Sequence, residues 1–121
     1  MQKYVTDKRE FKRYIAKRGA FAVLRNDYRN LGEIIDISIA GLSFQYMSGK
    51  GKLNGSSELD ILLDQKGFHS VKIPFRTVSD FELDYEIPTE LVRIRRRGVQ
   101  FTNLKLSQLL QLKNFINIYT S

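Results

Sequence analysis

Ile34-Ile-Asp-Ile-Ser-Ile-Ala-Gly-Leu-Ser-Phe44 reads as strand, break, strand. Alternation sets Ile35, Ile37 and Ile39 on one face and Asp36 and Ser38 on the other. Gly41 interrupts the pattern, and a second apolar run resumes through Leu42, Phe44 and Tyr46. Two small polar groups thus leave a buried sheet on one side, just ahead of a glycine that permits close approach to the backbone. This turn is expected to form half of a binding site, with the basic segment around Arg9 and Arg13 as the other half.

The rest of the chain gives this strand pair its setting. With 121 residues there is room for one core only. The chain has no cysteine, which excludes disulfides and zinc–thiolate sites and suits a reducing cytoplasm. No apolar run approaches the roughly 20 residues that span a bilayer, and residues 1–10 do not resemble a signal peptide. A cytoplasmic protein without a membrane span is the expectation.

The net charge of +7 is unevenly spread. Residues 1–30 hold nine Lys/Arg against Asp7, Glu10 and Asp27, whereas residues 58–90 hold eight Asp/Glu against three Lys/Arg. A concentrated cationic end predicts an anionic partner: nucleotide, nucleic acid or lipid headgroup.

Residues 1–18 read as a basic arm with at most one helical turn, ended by Gly19, and residues 19–121 as the folded domain. Short strands are expected at Ala20–Leu24, Leu31–Ser38, Leu42–Met47 and Leu59–Leu63. A strand from His69 to Ser79 carries Val71, Ile73 and Phe75 inward, and Pro74 places it at an edge or gives it a bulge. From Asp80 to Ile87, Phe81, Leu83, Tyr85 and Ile87 alternate with Asp80, Glu82, Asp84 and Glu86. Leu91–Phe101 returns as the last strand. From about Lys105 to Tyr119 the period becomes helical, with Leu109, Leu112, Ile116 and Tyr119 as a packing stripe flanked by Leu106, Leu110 and Phe115. Six or seven strands and one terminal helix predict a mainly β fold, a small antiparallel barrel with the helix packed on it.

Catalysis finds little support. His69 is the only histidine and has no Ser or carboxylate spaced to make a triad, so the chain is read as no enzyme. The glycine-rich stretch 49–55 lacks phosphate-loop spacing. The acidic row at 80–86 is read as a salt-bridged hairpin face, with Glu86, Asp84 and Glu82 opposite Arg93, Arg95 and Arg97, and no metal site. Those arginines share parity with Val99 and Phe101. A bulge near Gly98 or an Arg97 at the barrel mouth would each resolve this, and whether the three face a ligand or the acidic strand stays open.

Two patterns remain: Arg9-Glu-Phe-Lys-Arg13, and Asp36-Ile-Ser-Ile-Ala-Gly41. Each is weak alone. Together, in this order and in a barrel-like chain, they resemble the PilZ domain family, bacterial receptors for the second messenger cyclic di-GMP. The resemblance covers most of the chain, including Arg97-Gly-Val-Gln-Phe-Thr-Asn-Leu104 and the helix after it. It implies a six-stranded antiparallel β-barrel with a C-terminal α-helix, and cyclic di-GMP as a ligand rather than a cofactor. It also implies that Arg9, Arg13, Asp36, Ser38 and Gly41 hold the ligand, with Lys8, Lys12 and Arg97 as secondary candidates. Ala40 stands where the family often has a second glycine. Lys8 precedes the arginine pattern, a position that in this family accompanies a stacked pair of ligands.

The chemistry suits these residues. Arginine presents a planar fork to phosphate or to the guanine O6/N7 edge and can stack on a base. A carboxylate can accept from guanine N1–H and the 2-amino group. Binding would order the arm, and that ordered arm would alter contact with an unidentified downstream protein. Two other readings compete: a ligand-independent protein adaptor of the same fold, and a basic nucleic-acid-binding barrel. Against the last, no aromatic stacking row is interleaved with the arginines.

Overall fold

A computed structural model describes residues 11–25, 31–48, 57–64, 66–83 and 93–120. Their elements are β1 (Tyr14–Ile15), β2 (Ala20–Leu24), β3 (Leu31–Ile37), β4 (Gly41–Ser48), β5 (Glu58–Leu63), β6 (Gly67–Glu82), β7 (Arg93–Phe101) and α1 (Leu106–Tyr119). Every pairing is antiparallel: β3–β2–β5–β6–β7–β4, with β4 pairing back onto β3. The six strands therefore close into a barrel, which leaves no open edge among them. β1 pairs with Asp36 and Ile37 of β3, further along the edge that β2 occupies at residues 31–33.

Period-two alternation fills the interior. Ala20, Ala22 and Leu24 of β2, Leu42, Phe44 and Tyr46 of β4, and Leu59, Ile61 and Leu63 of β5 all turn inward. Ile73, Phe75, Val99 and Phe101 complete the wall, and α1 contributes Leu112 and Phe115. Each buried Val, Leu, Ile or Phe among them stabilises the fold by about 1.5–3 kcal/mol through burial. The helix docks on β6 by a polar contact as well. Gln108 Nε2 donates to the carbonyls of Val71 and Lys72 at 3.2 and 3.0 Å, and its Oε1 accepts the Lys105 N–H at 2.9 Å. His69 packs edge-on against Phe115 and Tyr119, a structural role on the helix interface.

Several expectations are corrected by bulges. On β3 the register shifts between Ile34 and Asp36, so Ile34 and Ile37 are the core residues, not the set Ile35, Ile37 and Ile39. On β6 an extra residue falls at Val71–Lys72, where Lys72 takes φ 55°, and Val71 is left exposed. A second shift, between Thr77 and Ser79, reverses the faces beyond it. Asp80 then turns inward and Phe81 outward, the reverse of the alternation read from the sequence. Its pairing is Asp80–Arg97 and Glu82–Arg95, two residues offset from the expected register.

The stretch expected as two strands is thus one strand of 16 residues that changes partner at Pro74. Pro74 is the last residue paired to β5 and Phe75 the first paired to β7. A residue without an N–H costs no ladder bond at such a switch. Finally, the arm forms no helical turn at 14–16. Tyr14 and Ile15 pair with Ile37 and Asp36, and Ala16 bridges to Thr120 at the end of α1.

Candidate functional site

The outer surface of β3, β4 and β7 carries a small polar cluster centred on Asp36. Arg13 Nη1, from the arm, donates to Asp36 Oδ1 at 2.8 Å. Ser43 Oγ donates to the same oxygen at 2.8 Å, and Arg96 Nη2 reaches Oδ2 at 3.0 Å. Arg96 Nη2 also donates to Ser43 Oγ at 3.1 Å. Local structure explains the convergence. The bulge at Ile35 turns Asp36 off the core face, Ser43 is its partner across the β3–β4 hairpin, and Gln45 pairs with Arg96 on β7. β1 brings Arg13 alongside because Ile15 pairs with Asp36.

The carboxylate is partly open, with 18 % of its side-chain surface exposed against 26 % and 35 % for Arg13 and Arg96. Two arginines face one carboxylate, so the cluster carries an excess of positive charge. Each guanidinium commits one terminal nitrogen to Asp36, which leaves further N–H donors in each fork. Such a surface can take a phosphate or a purine edge without first assembling itself.

The other expected site residues distribute as follows. Ser38 is buried in the turn that follows β3. Its Oγ accepts the Ala40 N–H at 3.0 Å, and its own N–H donates to the Gly41 carbonyl at 2.8 Å, so it closes the turn. Gly41 sits where a Cβ would lie 2.1 Å from the Val99 carbonyl oxygen, so β7 itself demands a glycine there. Lys12 lies beside Asp36's partner Arg13 in sequence but holds its ammonium 5.2 Å from the Tyr14 ring. Lys8 and Arg9 lie outside the described residues.

Arg97 is not brought to Asp36. Its side chain is buried in the barrel, where Nε donates to Thr77 Oγ1 at 2.9 Å and the guanidinium lies 5.8 Å from the Phe75 ring. Burial lowers its pKa below the ordinary arginine value, opposed by the charge of Asp80. Beside it, Arg95 Nε donates to Asp80 Oδ1 at 2.8 Å, and Tyr46 Oη donates to Asp80 Oδ2 at 2.7 Å. The hydrogen bond to Asp80 raises the Arg95 pKa. Arg95 and Arg97 therefore face the acidic strand from within, while Arg96 faces the cluster; the Arg93 side chain lies outside the described set. Arg96 belongs to the Asp36 cluster, although sequence reading does not single it out. Three consecutive arginines on a strand must alternate faces, but which face meets Asp36 depends on a cross-strand register the sequence does not print.

No curated protein matches the chain. Among solved structures, the PilZ domain with c-di-GMP of YcgR from Escherichia coli superposes with a TM-score of 0.69 at 15% identity, over 92% of this chain and 90% of that one. A structure of YcgR in complex with c-di-GMP, also from Escherichia coli, gives 0.61 at 16% identity, over 91% of this chain and 45% of that one. MrkH, described as a c-di-GMP-dependent transcription regulatory factor, gives 0.65 at 15% identity, over 93% and 51%. The chain thus spans nearly all of an isolated domain and about half of the two longer proteins, and at these identities the likeness is one of fold. The family model of the PilZ domain matches residues 7–117, and the chain belongs to that family.

Proposed function

We propose that this chain is a receptor for cyclic di-GMP, which it binds on the outer face of β3, β4 and β7. The observation that carries this reading is the pairing of Asp36 with both Arg13 and Arg96, at 2.8 and 3.0 Å. One of these arginines comes from the arm and one from the barrel, so a ligand seated between them bridges the two. The guanidinium forks take phosphate or the O6/N7 edge of guanine, and Asp36 accepts from the guanine donor edge. Arg9 adds to a set that Arg13 already joins, and Lys8 makes room in this scheme for a stacked ligand pair. Ser38 and Gly41 serve by holding the turn that aims Asp36. Lys12 and Arg97 take no direct part.

The protein performs no chemistry in this scheme and works in the cytoplasm. The relay differs in one respect from a simple ordering of the whole arm. Residues 14–16 already pair with β3 and with Thr120 at the end of α1, so the ligand acts by tightening the Arg9–Arg13 segment onto the barrel, next to a base that is already docked. The output is altered binding of a separate protein. Calorimetric titration with cyclic di-GMP, with GMP and a single-stranded oligonucleotide as controls, tests this. Cyclic di-GMP alone should bind at micromolar concentration or tighter, and Arg13→Ala should lose about 1–3 kcal/mol. Equal binding by the variant, or preference for the oligonucleotide, would overturn the assignment.

A further inference from the structure

A groove of about 480 Å³ runs between the arm and the C-terminal half of α1. Phe11 and Tyr14 of the arm, Ile39 of the turn and Ile116 of α1 give it apolar walls, and Lys12 and Lys113 bring two ammonium groups to it. This volume lies within the range of about 300–1,000 Å³ usual for ligand and anchor pockets. Lys113, on the wall of the groove, also belongs to an exposed face of the helix. Leu106, Leu110 and Lys113 fall on one helical face, and the two leucines are 71% and 55% exposed.

Charge identifies the occupant. Residues 11–18 carry Lys12, Arg13, Lys17 and Arg18 with no Asp or Glu, and no acidic residue occurs from 98 to 121. A second copy presenting this same face would set like charge on like charge. We propose that the groove and the Leu106–Leu110 stripe dock an acidic, amphipathic segment of a partner protein, apolar residues on the helix face and carboxylates toward Lys12 and Lys113.

The same groove is joined to the Asp36 cluster. Lys12 and Tyr14 flank Arg13, Ile39 belongs to the Ser38–Gly41 turn, and the arm is fastened to α1 by the Lys17 N–H on the Tyr119 carbonyl at 2.7 Å. A ligand that draws on Arg13 therefore moves a wall of the groove, and this regulatory clause rests on the function proposed above. By linkage, a peptide in the groove changes cyclic di-GMP affinity by the same factor as the ligand changes the peptide's.

The test is a random displayed peptide library panned on the full chain, with and without cyclic di-GMP, followed by fluorescence anisotropy of the enriched peptides. Enriched peptides should combine Asp/Glu with apolar residues at helical spacing. They should bind Leu110→Glu and Lys113→Glu about tenfold or more weakly, and Lys113→Glu should recover a peptide whose acids are changed to Lys. Both positions are exposed, and circular dichroism of the variants should match the parent. Basic peptides, peptides that bind both variants as well as the parent, or no enrichment would overturn the proposal. Calorimetry keeps the two readings apart. A parent chain that binds no library peptide yet binds cyclic di-GMP sinks the groove alone, whereas a parent chain that ignores cyclic di-GMP sinks the receptor reading and leaves the groove standing.

Discussion

Three aspartates each hold one or two arginines from distant parts of the chain, and their exposure separates their roles. Asp60 is 2% exposed, accepts Arg25 Nη1 on both oxygens at 2.9 and 3.0 Å, and holds the Lys72 N–H at 2.8 Å within the β6 bulge. Asp80, 4% exposed, holds Tyr46 and Arg95 with Arg97 close by. Of the three, Asp36 alone is partly open, and its two arginine partners are part-exposed. Removing a buried carboxylate strands buried guanidinium charge, so Asp80→Asn should cost about 3–5 kcal/mol in urea denaturation. Asp36→Ala should cost less than about 1 kcal/mol, because Arg13 and Arg96 can turn to water. A comparable loss for both would mean that Asp36 is a structural residue. Gly41→Ala forces a methyl against the Val99 carbonyl and should destabilise by at least about 1–3 kcal/mol. An unchanged melting temperature would show that β4 and β7 can separate there.

At the scale of elements, what alternation and helical period could reveal is what the structure contains. Ala20–Leu24 is the strand expected, and α1 begins one residue after the expected Lys105 and ends at Tyr119. The failures lie at bulges. A single inserted residue inverts every face beyond it, which is how Phe81 came to be read as core and Asp80 as solvent-facing. Gly41 and Pro74 were both legible as special positions, but only the topology gives their reasons: β7 crossing at Gly41 and β6 changing partners at Pro74. Around the helix stripe, of the three flanking residues only Phe115 is in the core, Leu106 and Leu110 are exposed, and Gln108 is buried. Gln108 ties α1 to the carbonyls of the β6 bulge, so Gln108→Ala should unpair both and destabilise by about 1–3 kcal/mol. Hydrogen exchange would detect it as faster exchange throughout α1; protection equal to that of the parent would contradict that anchoring.

For the whole molecule, closure of the sheet brings Asp36, Ser43 and Arg96 together on one wall, and the arm adds Arg13 to them. Of the candidate site, the meeting of Arg13 and Asp36 was legible, Arg96 depended on a register, and Ser38 and Gly41 lie in the turn between β3 and β4. The net charge of +7 also bears on partner class. A nucleic-acid binder contacting six to ten phosphates loses about 10³–10⁵ in affinity between roughly 50 and 200 mM salt. A ligand with two phosphates should lose far less over the same interval, and a nucleic-acid-like salt slope for cyclic di-GMP would argue for diffuse attraction instead of a built site.

The central claim is that Asp36, held between Arg13 and Arg96, recognises cyclic di-GMP. Isothermal titration of cyclic di-GMP into the parent chain and into Asp36→Ala, both shown folded by circular dichroism, tests it most directly. The account predicts saturable binding by the parent and a loss of about 1–3 kcal/mol, roughly 5- to 150-fold, in the variant. Equal affinity in the two proteins would contradict it.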